Sequence, residues 1–534
     1  MTAETTASAT KPATPLATRR EWIGLAVLTL ACLVYSMDLT VLNLAVPRMS
    51  ADLKPSSAQL LWIIDIYGFL VAGLLITMGT LGDRIGRRRL LLGGAGFFAV
   101  ASLFAAASPT AEWLIASRAV MGIAGATIAP STLSLIFSMF HDQKQRSQAI
   151  GIWIAAYSVG SAIGPMIGGV LLQFFWWGSV FLIGVPVMAL LLVLGPRMLP
   201  EYRDPNARRL DLLSAAMSLV AILAVVFGLK EIAQDGVAAL PIAAILGGAV
   251  LGAAFVRRQL TLESPIIDVR LFRIRAFTAS LFTYLLAIFV VIGYFLFVSQ
   301  YLQLVIGLSP LEAGLWSLPS SAGFIVGSLA APRIIQRFRP AAIMGVGMTV
   351  AALGTAMLLL LGLGGLQNLL LIVAASIVID LGLAPAITLA TELIVGSAPQ
   401  EQAGAATGIS ETSGELGGAL GVAILGSIGT AIYRAEVADS LPGGIAPAVS
   451  DAARDTLGGA LAIAESLPRA VAEPLIAAAQ LAFLDAIHVV AAVACVGAVV
   501  TAIVSTIALW KVPGRSASVE GEETAQAGAG LTTA

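Results

Sequence analysis

Apolar runs of about 20 residues recur along the chain, parted by short segments that collect charge and proline. A helix of that length crosses a bilayer because it satisfies its own backbone groups where lipid offers no partner. Fourteen such runs predict spans near 22–44, 59–81, 90–107, 111–137, 147–172, 177–198, 211–230, 239–256, 276–301, 310–332, 340–362, 368–395, 404–433 and 483–510. The predicted fold class is therefore an all-α integral membrane protein. The first run is too long for a secretory signal and lacks a convincing small-residue cleavage site, so it reads as a retained span. Residues 1–18 and 513–534 read as solvated tails, being dominated by Thr, Ala and Pro and by Gly, Ala, Ser, Thr and Glu respectively. Between the last two spans, 434–482 mixes Ala, Ile and Leu with Asp451, Arg454, Asp455, Glu465, Arg469 and Glu473. Breaks near Pro442, Pro447, Pro468 and Pro474 predict short amphipathic helices there, serving as a cap over the outer mouth or as a solvated spacer.

Composition sharpens this. Of 534 residues, 58% are hydrophobic and 11% charged, against roughly 25% charged in soluble domains. A soluble protein is excluded. Thirty basic against 31 acidic residues give a formal net charge of -1, so no global field draws nucleic acid, and position carries the information instead. With the N-terminus inside, 23 of the 30 basic residues fall in cytoplasmic loops or tails, the bias expected of short cytoplasmic connections. That demands an even number of crossings with both ends in the cytosol. High Ala and Gly usage points to a bacterial source, and the expected location is the bacterial inner membrane. Cys32 and Cys495 lie in apolar runs, which argues against a disulfide framework or a thiolate site. His141 and His488 sit in no catalytic or zinc spacing, and no Gly-rich Lys-Ser/Thr loop for nucleotides is present. No metal, cofactor or enzymatic constellation is expected.

After the second span comes GTLGDRIGRRR at 79–89, with Gly79, Asp83, Arg84, Gly86 and Arg87. It resembles the signature loop of the major facilitator superfamily. Gly79 and Gly86 allow close helix approach and a tight turn, and Asp83 can pair with Arg84 or a neighbouring helix end. A degenerate echo runs from Gly327 through Arg333, Arg337 and Arg339. The resemblance implies two six-helix bundles related as parallel repeats, with the seventh and eighth spans as a central insert. It divides the chain into a tail at 1–20, bundles at 21–199 and 276–512 (the latter including 434–482), an insert at 200–275, and a tail at 513–534. In span five, Gly160, Gly164, Pro165, Gly168 and Gly169 are similar to the superfamily's antiporter motif, found in exporters; the glycines also make a flat packing face. Arg118, followed by Gly122 and Gly125, is similar to its intramembrane arginine motif, and an arginine at that depth is costly unless paired or hydrated. The stretches 37–42, 62–67, 301–315 and 410–417 are similar in order to the fourteen-helix drug:proton antiporters. That likeness implies a monomer in the lipid bilayer, driven by the proton motive force without a cofactor. By alternating access it would export lipophilic cationic small molecules such as quaternary ammonium compounds, dyes and fluoroquinolones in exchange for protons. An exporter of an endogenous metabolite, lipid or siderophore on the same scaffold remains the alternative.

Such exchange needs carboxylates that alternate between proton and cation. Asp38, Asp65, Asp380, Glu411 and Glu415 lie well inside spans. Glu411 and Glu415, four residues apart, share a helix face, and in a two-bundle fold Asp38 belongs to the opposite half. Asp38 and Glu411 are accordingly expected on facing walls of one cavity, each matching an important acid of the family. Asp65 reads either as a substrate contact or as a structural acid or gate, and Glu415 as a further exchange site or a structural pair. Members of the branch carry another acid in span ten, where 318–324 is neutral here, which puts divalent-cation selectivity in question; Asp380 has no family counterpart. Tyr35, Trp62, Tyr67, Trp153, Tyr157, Phe324 and Gln300 are candidates for the cavity wall, since flat cations gain from ring faces.

Overall fold

The structure is a computed structural model and describes residues 16–55, 57–203, 211–262, 265–399, 402–440, 453–454 and 456–512. The tail at 513–534, residues 1–15 of the other tail, and Pro442, Pro447, Asp451 and Asp455 lie outside them. Among the described residues there is no strand, and 14 helical segments are long and apolar enough to span a membrane. They fall where the apolar runs predict them.

The first half comprises α1 (Arg19–Leu53), α2 (Ser57–Ile85), α3 (Arg87–Ala106), α4 (Ala111–Gly125), α5 (Ile128–Met139), α6 (Gln143–Phe174), α7 (Ser179–Leu182) and α8 (Gly184–Met198). The pairs α4–α5 and α7–α8 each build one span from two pieces. A hairpin of α9 (Leu212–Asp235) and α10 (Ala239–Gln259) follows. The second half runs through α11 (Arg275–Gln300), α12 (Pro310–Arg337), α13 (Pro340–Met357), α14 (Gly365–Gly396), α15 (Ala403–Ser440), α16 (Leu457–Ala464) and α17 (Arg469–Leu509). Polar residues set the helix starts. Thr110, Asp142 and Asp211 each accept from a first-turn amide of α4, α6 and α9. Ser309 and Glu312 form a reciprocal capping box at α12, with Pro310 in the first turn, where its missing N–H leaves no bond unmade.

In the first half α1 packs on α6 and α8, and α2 and α3 pack on α4. The antiporter-type glycines let α1 and α6 approach: a methyl group at Gly160 would stand 2.3 Å from the Leu33 carbonyl oxygen, and one at Gly168 would stand 2.7 Å from Val41 Cγ2. Gly164 is buried on the same helix while Gly169 is exposed, and the helix continues through Pro165. In the second half α11 packs on α14, α15 and α17, and α12 and α13 pack on α14. The halves meet along two seams, α2 with α15 and α6 with α12. Because α9 lies against both α2 and α15, the insert fills one seam rather than standing apart as a linker.

The segment 434–482 departs from expectation. Of the amphipathic helices predicted there, α16 is short, but α15 continues to Ser440 and α17 already begins at Arg469. Pro468 occupies the N-cap position of α17, where its fixed φ fits, and the Ala-rich run after it favours helix strongly enough to carry Pro474 inside. The Tyr433 hydroxyl donates to the Ala453 carbonyl at 2.9 Å and ties α15 to this region.

Candidate functional site

Several of the intramembrane acids can be placed by a partner. Asp38 on α1, 6% exposed, accepts from Arg118 of α4 at 2.7 Å. Arg118 also donates to the Ile63 carbonyl of α2 at 3.2 Å, and its guanidinium stands 4.6 Å from the centre of the Tyr67 ring. A buried arginine survives in a membrane only with such partners, and neighbouring helices supply them. Met37, Phe98, Val180 and Phe181 close around Asp38, so its carboxylate points into the first half. The facing-wall arrangement with Glu411 is thus not what the packing gives. Tyr67 has both Asp38 and Glu415 among its electrostatic neighbours, but pairing with Arg118 holds the Asp38 carboxylate within the first half.

Asp65 on α2 pairs with Lys230 of α9 at 2.5 Å. Asp380 on α14, 7% exposed, accepts from Ser320 of α12 at 2.7 Å and from Tyr294 of α11 at 3.2 Å. The neutral stretch 318–324 therefore faces an acid contributed by another helix. Glu392, near the end of α14 and 5% exposed, accepts from Ser147 of α6 at 2.8 Å.

Glu411 and Glu415 differ from all of these. Both are half-buried on α15, and among the described residues neither makes a hydrogen bond or an ion pair. They are each other's electrostatic neighbours. Cys32 and Tyr35 of α1, Tyr157 of α6 and Tyr284 of α11 lie in the same electrostatic neighbourhood. Tyr284 rests directly on α15: a methyl group at Gly414, between the two glutamates, would come within 2.9 Å of its ring. Tyr35 and Tyr157 stand 6.1 Å apart with tilted rings. Two carboxylates thus lie within electrostatic range of aromatic rings contributed by both halves, and that combination can hold a flat or quaternary cation.

One end of the molecule is latched. Asp83 accepts from Arg87 at 2.9 Å and from the Gly404 and Ala405 amides at 3.1 and 3.0 Å, so it caps the start of α15 across the seam. Its basic partner is Arg87 at the start of α3, since Gly86 at φ 114 turns the chain back on itself. Arg87 also donates to the Ser134 carbonyl, while Arg88 and Arg89 approach Glu201 at 3.5 and 3.7 Å. Gly79 is required where α2 meets α15, because a methyl group there would lie 2.2 Å from the Gly404 carbonyl oxygen. The Ser147 to Glu392 bond joins the halves along the other seam. Glu411 lies about 10 Å beyond Gly404 along α15, at 1.5 Å per residue.

Comparison with known proteins bears on this arrangement. The sequence model described as Major Facilitator Superfamily matches residues 28–422. The chain belongs to this superfamily. Among its relatives, the multidrug efflux pump LfrA of Mycolicibacterium smegmatis is 44% identical over 88% of this chain and 93% of its own. The methyl viologen resistance protein SmvA of Salmonella typhimurium is 36% identical over 87% and 93%. A bacterial homologue of the human lysosomal transporter Spinster shares the fold at a TM-score of 0.54 and 17% identity, over 93% of this chain and 100% of its own. The protein is thus a multi-pass major facilitator transporter of a bacterial membrane.

Within this transporter the remaining aromatic candidates divide. Trp153 is buried and donates to Thr132 at 3.0 Å, and Tyr67 is buried with its ring against the Arg118 guanidinium. Trp62 is 49% exposed and stands edge-on to Phe69, while Phe324 and Gln300 are half-buried. Sequence reasoning missed Glu392, Tyr284 and the position of Lys230. Glu392 and Lys230 were legible as charges at span ends; for Tyr284 only a tyrosine at mid-span marked the place.

Proposed function

We propose that this transporter exports lipophilic cations in exchange for protons, with Glu411 and Glu415 as the exchange carboxylates. The observation that carries it is the pair of half-buried glutamates, without a hydrogen bond or ion pair among the described residues and within electrostatic range of tyrosines of both halves, while Asp38, Asp65, Asp380 and Glu392 are held by arginine, lysine or hydroxyl donors. A cation settles against the rings of Tyr35, Tyr157 and Tyr284 and neutralises the glutamates; protons arriving from the opposite side displace it. Because proton and cargo cannot occupy one carboxylate together, their coupling needs no long-range wire. Exchange of one proton for a monovalent cation is electroneutral and draws only on the pH gradient, about 1.4 kcal/mol per unit. A second proton would add about 2.3 kcal/mol per 100 mV. Asp38 acts indirectly: protonating it releases Arg118 and loosens α1 and α2 from α4. No cofactor takes part.

The latched end is the cytoplasmic one on this reading, since the basic loops lie there, and both termini are cytoplasmic. The related multidrug efflux pump and methyl viologen resistance protein support the cargo class. The test is pH-driven uptake of a fluorescent cation into everted vesicles. Glu411→Gln is expected to abolish it and Glu415→Gln to cut it about tenfold; unchanged transport in both variants sinks the reading.

A further inference from the structure

The insert helix brings a cation of its own to the acidic region. Leu219, Leu223, Val226 and Lys230 recur at helical spacing on α9. Leu219 and Leu223 press on Gly73 of α2, and Val226 packs in a cluster with Phe69 of α2 and with Ala419 and Ala423 of α15. The same face ends in Lys230. Its ammonium meets the Asp65 carboxylate at 2.5 Å and stands 4.7 Å from the centre of the Phe69 ring, against which Trp62 stands edge-on. Glu415 counts Lys230 among its electrostatic neighbours. A carboxylate, a ring face and a second acid within range are the groups a bound organic cation would seek.

We propose that Lys230 is a tethered occupant of a second cation subsite at the seam of α2, α9 and α15, and that it sets the charge of the cargo the transporter accepts. By neutralising Asp65, it leaves the Glu411 and Glu415 pair to serve one cationic centre. A dication with two separated charges could bridge from Glu415 to Asp65, and it meets the lysine there instead. Charge selectivity then comes from a repulsive group as well as an attractive one.

The proposal rests on the cation-export reading, and the experiment separates the two. Purified transporter in proteoliposomes is assayed for pH-driven transport of tetraphenylphosphonium, a monocation, and of methyl viologen, a dication. Lys230→Gln is expected to lower the half-saturating concentration of methyl viologen about tenfold or more relative to tetraphenylphosphonium, the scale of one added unit charge at a partly buried site. The Asp65→Asn/Lys230→Gln pair is expected to erase that gain. Asp65→Asn alone leaves the ammonium unneutralised beside Glu415 and is expected to weaken both cations about tenfold. An unchanged ratio in Lys230→Gln, loss of both activities in that variant while it remains folded, or a gain that persists in the double variant overturns the proposal. If Lys230→Gln does not fold, wild-type affinities in Asp65→Asn overturn it as well. A wild-type protein that moves neither cation sinks the export reading instead.

Discussion

Deleting the Arg118 guanidinium strands the Asp38 carboxylate among Met37, Phe98 and Phe181 with its charge uncompensated. Breaking a buried pair from one side costs about 3–5 kcal/mol, whereas replacing both partners by apolar groups of similar volume can be neutral. Arg118→Ala is therefore expected to lower the melting temperature of the detergent-solubilised protein sharply, and the double variant Asp38→Leu/Arg118→Met to regain much of it. If the double variant melts as low as the single one, the pair does not act as a unit. At this scale the sequence revealed which charges had to be explained but not who explains them. An arginine inside a span demands a partner, yet Asp38 and Arg118 are 80 residues apart and meet only through the packing of α1 on its neighbours. Glu411 and Glu415 were legible together because four-residue spacing on a helix fixes a shared face before any tertiary contact forms.

Among the elements, the hairpin of α9 and α10 hangs on few polar contacts. Asp211 caps α9, accepts from Ser214 at 2.7 Å and pairs with Arg258 of α10 at 2.8 Å. The Ser214 hydrogen bond first, and then Arg258, hold its carboxyl below the usual range. Depressed in the folded state, this group contributes its stability above the unfolded value of about 3.9 and loses it as pH falls through the lower folded value. Asp211→Ala is expected to cost the hairpin about 1 kcal/mol at neutral pH, read as faster amide exchange in the first turns of α9. That deficit should vanish in strong acid, and a deficit persisting there would refute the cap. The fourteen spans were readable because hydropathy alone sets them. Their ends were not, as at Ser440 and Arg469, since a helix stops where its backbone bonds fail rather than where the lipid does.

For the whole molecule, closure at one end rests on the start of α15. Asp83 meets two amides there, and a hydrogen bond to a charged group contributes about 1.5–3 kcal/mol. Asp83→Asn weakens both. The balance between the two access states is expected to shift roughly tenfold or more, seen as a longer component in the spin-label distance distribution across α2 and α15. An unaltered distribution would show that Gly79 and Gly404 hold the end shut by fit alone. The motif loop announced that something would be latched there. The partner came from a helix more than 300 residues onward, a distance over which only the assembled bundle decides.

The hairpin in the α2–α15 seam also makes the transporter's flanks unequal toward lipid. A greasy solute dissolved in the bilayer that approaches α2 and α15 finds the crevice already stoppered by α9, pinned there by Lys230 and Asp65. On the opposite flank α6 meets α12 and α14 with no insert helix between them. A cargo that reaches the protein through the bilayer is therefore expected to enter beside α6, on the flank that carries no such stopper.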